Sequence, residues 1–283
     1  MPQPASPRHI LVTGCASGIG AALARVLLAR GDHVWACDLR TDGMQALAAL
    51  PGAAGRLRLQ ALDVRDGAQW RGVMDAVRRD WPRLDAVLNV AGVLRPDFAA
   101  DIREDDIHLQ IDVNTKGVIL GSQAALGLML AQRQRPGAGA HPAGRIVNIA
   151  SMAGITPVPG CALYCASKFA VRGYTLSLAQ ELAPLGLRAT VICPDVVATP
   201  MIESERRRPQ AAMIFSGGGP MPAERVVRAV LRALDAPHPP VEIAFPLTRH
   251  LPAKLAGLAP NLTGWAVRLT ARIGQRKQAR GLT

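Results

Sequence analysis

The chain runs to 283 residues, 49% of them hydrophobic and 19% charged, with a formal net charge of +12. That apolar content is enough for one large α/β domain, which at this length buries ~75% of the unfolded chain's surface. No uninterrupted apolar stretch reaches the ~18 residues of a membrane-spanning helix, and aromatic residues at 4% are too few to interleave with the basic ones as a nucleic-acid stacking surface.

Residues 1–8 lack the apolar centre of a signal peptide. Beyond them, short apolar runs alternate with amphipathic segments, the pattern of a parallel sheet covered by helices on both faces. A strand is predicted over 9–13, then a helix over 18–30 stopped by Gly31, and a second strand over 33–37. Strands follow over 56–62 and 84–90, with a helix over 67–80 between them. A long helical stretch covers 104–134, and the Pro-, Gly- and Ala-rich run 135–143 reads as a surface loop. A fifth strand over 145–150, a helix over 163–182, a sixth strand over 187–193 and a seventh over 241–245 complete the sheet.

Residues 199–222 break this rhythm. Their cluster Arg206, Arg207, Arg208 and the triplet Gly217, Gly218, Gly219 read as a mobile flap. No repeat or interdomain linker is visible, so 1–283 is expected to be a single domain. Five scattered cysteines (Cys15, Cys37, Cys161, Cys165, Cys193) suit a reducing compartment, and the cytoplasm is the expected location. No second ligand pair accompanies Cys161 and Cys165, so no metal site is expected. The positive field favours anionic ligands or acidic proteins.

The turn Thr13-Gly14-Cys15-Ala16-Ser17-Gly18-Ile19-Gly20 sits directly between a strand and a helix. Glycines there let backbone approach a pyrophosphate closely, and the helix N-terminus adds N–H donors and a positive dipole end. Asp38 ends the second strand, where a carboxylate accepts hydrogen bonds from an adenosine ribose and repels a 2′-phosphate. That favours NAD over NADP, although Arg40 would suit a phosphate. Asp63 and Val64 follow the third strand, where the carboxylate either faces the adenine or caps the strand end. Asn89, Val90, Ala91 and Gly92 end the fourth strand beside the nucleotide.

Tyr164-Cys165-Ala166-Ser167-Lys168 places a phenol and an ammonium four apart on one helix face. A free tyrosine titrates near ~10, and lowering it by about three units needs roughly 4 kcal/mol of differential stabilisation. The neighbouring ammonium and an oxidised nicotinamide ring are expected to supply this. Ser151 follows the fifth strand, thirteen residues before Tyr164. In an open α/β sheet, ligands lie outside the carboxyl ends of the strands, where the glycine turn, Asn89 and Ser151 all fall.

With these motifs the chain resembles the short-chain dehydrogenase/reductase family over about residues 8–245. The resemblance implies a Rossmann-type, three-layer doubly wound fold with a mostly parallel sheet of about seven strands. It implies an oxidoreductase passing hydride between a nicotinamide cofactor and an alcohol or ketone. It casts Tyr164 as general acid/base, Ser151 as a holder of the substrate oxygen, and Lys168 as a ligand of the nicotinamide ribose that tunes Tyr164. Asn114, in Val113-Asn114-Thr115-Lys116-Gly117, supports a water relay to Lys168. Gly14, Ser17, Gly18, Ile19 and Gly20 form the cofactor turn, while Pro194, Val197 and Thr199 approach the carboxamide. A homodimer or homotetramer is also implied.

Two positions depart from the family. Val90 replaces its second asparagine, and Asp195 stands where it usually has glycine. The apolar residues Ile202, Met213, Ile214 and Phe215, with the segment 155–161, predict a hydrophobic substrate: cyclic, steroid-like or long-chain. An alternative is an NADPH-dependent reductase of 3-oxoacyl groups on an acidic carrier protein, against which Asp38 argues. A non-catalytic nucleotide sensor is a further alternative, and it need not keep Asn114, Ser151, Tyr164 and Lys168 together. Residues 246–283 extend beyond the usual core. Leu262, Trp265, Ala266, Leu269 and Ile273 share a helical face, with Arg268, Arg272, Arg276 and Arg280 on another. That helix is expected to dock its apolar face on the domain or a second subunit, with peripheral contact to an anionic membrane as the alternative.

Overall fold

The computed structural model describes residues 7–134, 144–258 and 260–280. The predicted loop over 135–143 and most of the N-terminal segment lie outside the described residues. Seven strands form one sheet: β1 (His9–Thr13), β2 (His33–Asp38), β3 (Leu57–Ala61), β4 (Ala86–Asn89), β5 (Arg145–Ile149), β6 (Arg188–Pro194) and β7 (Glu242–Phe245). Their order is β3-β2-β1-β4-β5-β6-β7, and every pairing is parallel. Winding reverses between β1 and β4, which opens a crevice at their carboxyl ends.

The sheet is covered on both faces because its strands alternate apolar residues into two cores. In β1, Ile10 and Val12 join Leu23 and Leu27 of α1 (Gly18–Ala29) and Val226 and Val230 of α8 (Ala223–Asp235). Leu11, pointing the other way, joins Trp70 and Val73 of α3 (Gly67–Asp80), Leu128 of α5 (Gly117–Arg133) and Leu178 of α6 (Ala162–Leu182). Gly31, at φ +91°, ends α1 in the left-handed conformation that glycine tolerates. Asp66 caps α3, accepting from the backbone N–H groups of Ala68 and Gln69. A short helix α2 (Gln45–Ala48) lies between β2 and β3.

The predicted helical stretch over 104–134 is not uniform. α4 (Glu104–Ile111) passes into a π-helical turn, Asp112–Lys116, before α5 begins. The wider turn carries Asn114 into the interior, and such turns are frequent where a helix residue must be re-aimed.

The segment read as a loose flap is built of α7 (Pro200–Glu205) and a 3-10 helical stretch, Pro209–Ser216. After β7 come α9 (Leu247–Leu258) and α10 (Pro260–Ala279). α10 docks on the 3-10 stretch, but not through its predicted apolar face. Gly274 abuts the backbone of Ala212, Lys277 Nζ donates to the carbonyls of Ser216 and Gly217, and Gln278 Nε2 donates to those of Arg206 and Arg208. A glycine permits close approach there, and polar side chains satisfy carbonyls left over at short helix ends. Trp265, Leu269 and Ile273 point outward and are exposed; the side chain of Leu262 lies outside the described residues.

Candidate active site

A cleft of about 600 Å³ runs across the carboxyl ends of β1 to β6. At one end lies the glycine turn. Gly14 holds φ +76°, and a Cβ there would sit 2.9 Å from Ala91 N; a Cβ on Gly20 would meet the Gly14 carbonyl. Gly18, at φ +53°, packs against Thr199 Cγ2. Three glycines thus bring β1, β4 and the start of α7 into van der Waals contact, leaving backbone rather than side chains at the cleft wall. Ser17 precedes α1 in extended conformation, and the first turn of α1 carries no acidic residue to oppose an anion.

Asp38 closes that end of the cleft. Its Oδ2 accepts from Ala16 N at 2.9 Å and its Oδ1 from Arg40 N at 3.1 Å, so the carboxylate also braces the glycine turn. Asp63 lines the cleft but is committed to Arg65, whose Nη2 lies 2.6 Å from Oδ2. That hydrogen bond holds the Asp63 carboxyl below its ordinary range despite partial burial. Val64, Val90, Ala91 and Gly92 also face the cleft. Thr13, which the sequence placed only within the turn, braces β4: its Oγ1 accepts from Val90 N and Ala91 N at 3.0 and 3.1 Å.

Asn89 departs from expectation. Its side chain turns away from the cleft into the core, where Nδ2 donates to Asn148 Oδ1 at 2.8 Å and Ser122 Oγ at 3.2 Å. Asn148 in turn donates to Thr175 Oγ1 at 2.9 Å, forming a buried polar thread from β4 through β5 to α6. Residues at a strand's end alternate faces, so only the backbone past Asn89 reaches the cleft.

The other half of the cleft gathers Ser151, Tyr164 and Lys168, with Asn114 buried behind them. The Ser151 hydroxyl is close enough to the Tyr164 hydroxyl to favour its ionised form, and Ser151 Oγ accepts from Ala153 N at 3.1 Å. Lys168 Nζ donates to Ile149 O at 3.0 Å and lies 5.7 Å from the centroid of the Tyr164 ring. Fully buried Asn114 accepts from Val93 N at 2.8 Å and donates to Val93 O and Ser167 Oγ at 2.9 and 3.1 Å. It therefore clamps the loop after β4 to α6. Gly92 sits between: a Cβ there would lie 3.2 Å from Asn114 Oδ1 and 3.5 Å from Lys168 Nζ.

Burial dominates the titration of both helix residues. It pushes the Tyr164 hydroxyl up, only partly countered by the Ser151 hydroxyl. It pulls the Lys168 ammonium down to about 8. Lys168 Nζ is held by the Ile149 carbonyl over the Tyr164 ring, and the expected lowering of the phenol draws on an oxidised nicotinamide ring as well as on this ammonium.

Comparisons with known proteins bear on this arrangement. Residues 8–210 match the sequence profile described as short chain dehydrogenase. The chain is 34% identical over 209 residues to cyclopentanol dehydrogenase of Comamonas sp. (strain NCIMB 9872), covering 74% of this chain and 80% of that protein. It is 37% identical over 231 residues to D-threitol dehydrogenase of Mycolicibacterium smegmatis, covering 80% and 85%. A short-chain dehydrogenase/reductase from Burkholderia phymatum, solved in complex with NAD, superposes with a TM-score of 0.78 at 25% identity, covering 91% of this chain and 95% of the other.

The chain belongs to the short-chain dehydrogenase/reductase family. It is an oxidoreductase by that membership. Within the short-chain dehydrogenase fold, the cleft has features that only the tertiary structure reveals. Asp195 accepts from Arg249 Nη1 of α9 at 2.6 Å. Residues of the C-terminal helices, among them Pro252, Ala253, Val267 and Thr270, roof the cleft. The sequence marked 246–283 as an appendage, and no local signal in it announces cleft residues. Ile202, Met213 and Ile214 line the cleft as expected, whereas Phe215 is buried behind it. Of the segment 155–161, Thr156, Val158 and Cys161 reach the cleft and Ile155 belongs to the core. Among the described residues no helix is long and apolar enough to cross a membrane, and no His/Cys/Asp/Glu cluster suits a metal. All five cysteines are buried and unpaired.

Proposed function

We propose that this enzyme passes hydride between NAD(H) and a hydrophobic secondary alcohol or ketone held against Ser151 and Tyr164. The observation that carries the reading is that Ser151, Tyr164 and Lys168 share one cleft with the glycine turn, with Asn114 buried behind it next to Gly92 and Lys168.

The residues present fit a dinucleotide. The cradle between Gly14 and Ala91 is one a Cβ would fill, and the acid-free start of α1 suits a pyrophosphate. Gly14, Ser17, Gly18, Ile19 and Gly20 would hold the pyrophosphate side. Asp38 would hold the adenosine ribose and disfavour a 2′-phosphate, hence NAD over NADP. Asp63 and Val64 would border the adenine, with backbone at Ala91 and Gly92 along the nucleotide. Pro194, Val197 and Thr199 would border the carboxamide. When bound, the nicotinamide supplies the two-electron acceptor or donor.

The chain's own residues manage the proton. In alcohol oxidation Tyr164 takes the hydroxyl proton, and in ketone reduction it returns one to the carbonyl oxygen. Ser151 donates a hydrogen bond to that same oxygen and fixes it beside the phenol. Lys168 holds the nicotinamide ribose and lends positive charge to the phenolate side of the equilibrium. Asn114, by clamping Val93 to Ser167, positions Lys168 and supports a water relay to it.

Apolar walls at Met152, Val158, Met201, Ile202, Met213 and Ile214 favour a cyclic, steroid-like or long-chain substrate. The similarity to cyclopentanol dehydrogenase supports this more readily than that to D-threitol dehydrogenase. The enzyme acts as one cytoplasmic domain, self-associating as a homodimer or homotetramer through exposed apolar positions such as Ile119 and Phe169 of α5 and α6. The test is a panel of lipophilic alcohols, polyols and their ketones with NAD(H) and NADP(H). Preferred turnover of lipophilic alcohols with NAD supports the reading. A preference for polyols discards the substrate class, and a preference for NADP discards the role of Asp38.

A further inference from the structure

The C-terminal helices present an outer surface that the proposed chemistry does not use. On α9, Leu247, Leu251, Leu255 and Leu258 recur at helical spacing and are all exposed, Leu258 by 82%. On α10, Trp265, Leu269 and Ile273 do the same. One position before each of the last two stand Arg268 and Arg272, continued by Arg276 and Arg280, so a basic row borders the apolar one on the helix surface. Among the described residues none of these four arginines forms an ion pair. Residues 246–283 hold seven Lys and Arg and no Asp or Glu. The inward side of α10 is already satisfied by Gly274, Lys277 and Gln278 against the 3-10 stretch, so the outward rows are not needed to dock the helix.

We propose that this outer face of α9 and α10 is a docking surface for an anionic lipid bilayer, on which the helices lie in the plane of the interface. Leucines, a tryptophan and arginines on a helix of this kind match what an interface requires: apolar side chains inserted at the acyl boundary and cations at the headgroups. Charge selects the occupant. A cationic row without a single carboxylate repels its own copy in a symmetric contact, where like meets like, but complements a sheet of phosphates. The same helices carry Ala253, Val267 and Thr270 into the cleft on their other side, so the surface and the cleft roof are two faces of one segment. The proposal does not depend on which alcohol the enzyme turns over.

Trp265 reports on the contact directly. It is 64% exposed, whereas Trp35, Trp70 and Trp81 are buried. The full-length protein is mixed with vesicles of phosphatidylcholine alone and of phosphatidylcholine with phosphatidylglycerol, and followed by co-sedimentation and tryptophan emission. Expected are sedimentation with the anionic vesicles only, a shift of emission to shorter wavelength that Trp265→Phe abolishes, and loss of binding at high salt. Arg268→Glu/Arg272→Glu should weaken vesicle binding by at least ~tenfold, with turnover of a water-soluble alcohol unchanged as evidence of folding. Leu269→Ser should weaken it without altering the salt dependence. Absence of sedimentation with anionic vesicles overturns the proposal. So does a Trp265 shift that scales with protein concentration in the absence of lipid, which would assign the face to a second copy of the chain.

Discussion

Asp195 and Arg249, 54 positions apart, meet at 2.6 Å between the loop after β6 and the first turn of α9. Arg249 Nη2 also reaches Ser216 Oγ at 3.4 Å, and Lys277 donates to the Ser216 carbonyl. One carboxylate thus ties the floor of the cleft to its roof and, through Ser216, to α10. Asp195→Asn keeps the shape and removes the charge. Because the pair is only partly buried, the stability loss should be on the order of 1 kcal/mol. The larger effect should be on substrate: a rise in KM of about 3- to 10-fold with kcat nearly unchanged, as for a lost uniform-binding contact. Steady-state kinetics beside thermal melts separates the two.

Gly14 and Gly55 offer a matched pair. Both hold a left-handed backbone, at φ +76° and +74°, but a Cβ on Gly55 meets nothing while one on Gly14 meets Ala91. Gly55→Ala should cost about 1 kcal/mol from backbone strain alone and leave NADH affinity intact. Gly14→Ala should cost more and weaken NADH binding by at least ~tenfold, since the wall of the cradle must shift. Fluorescence titration of NADH with both variants checks this.

Asp38→Asn tests the cofactor preference. Removing one negative charge from the ribose end should improve the NADP-to-NAD ratio of kcat/KM by roughly 10- to 100-fold, the scale of one charge pair at partial screening. The Ala16 N–H keeps an oxygen acceptor, so the fold should tolerate the change. An unchanged ratio would remove Asp38 from the selectivity argument.

Lys168 predicts a pH dependence of stability. Its ammonium titrates at about 8 in the fold against 10.5 in the unfolded chain, because burial disfavours the charged form. Between those values the unfolded chain binds the extra proton, so this group makes the protein more stable as pH rises through that window. The full span is on the order of 3 kcal/mol. Below pH 8 the cost of burying the ammonium is constant. Urea melts of the cofactor-free protein from pH 7 to 10 should show the rise, and Lys168→Met should flatten it.

Legibility in the sequence followed the range of the interactions. The glycine turn, Ser151 and the Tyr164–Lys168 pair were readable because each depends on spacing within one strand end or one helix turn. The strands were readable because burial on both faces leaves near-continuous apolar runs such as Ile10-Leu11-Val12. The inward turn of the Asn89 side chain was not, because it depends on Asn148 and Ser122 in other elements. The docking face of α10 was misread for a related reason. Its contact uses Gly274, Lys277 and Gln278 against free carbonyls, and hydrophobic periodicity carries no record of carbonyls. Desolvation of the Tyr164 phenol was likewise not legible, because charge spacing along a helix carries no record of burial.

The central claim is that Tyr164 exchanges the proton of the reacting oxygen. Single-turnover reduction of a lipophilic ketone by enzyme-bound NADH, compared between the native protein and Tyr164→Phe at matched NADH saturation, addresses it most directly. The account predicts unaltered NADH affinity and a rate lowered by ~10²- to 10⁴-fold, the usual contribution of a positioned acid. Equal rates in the two proteins would contradict it.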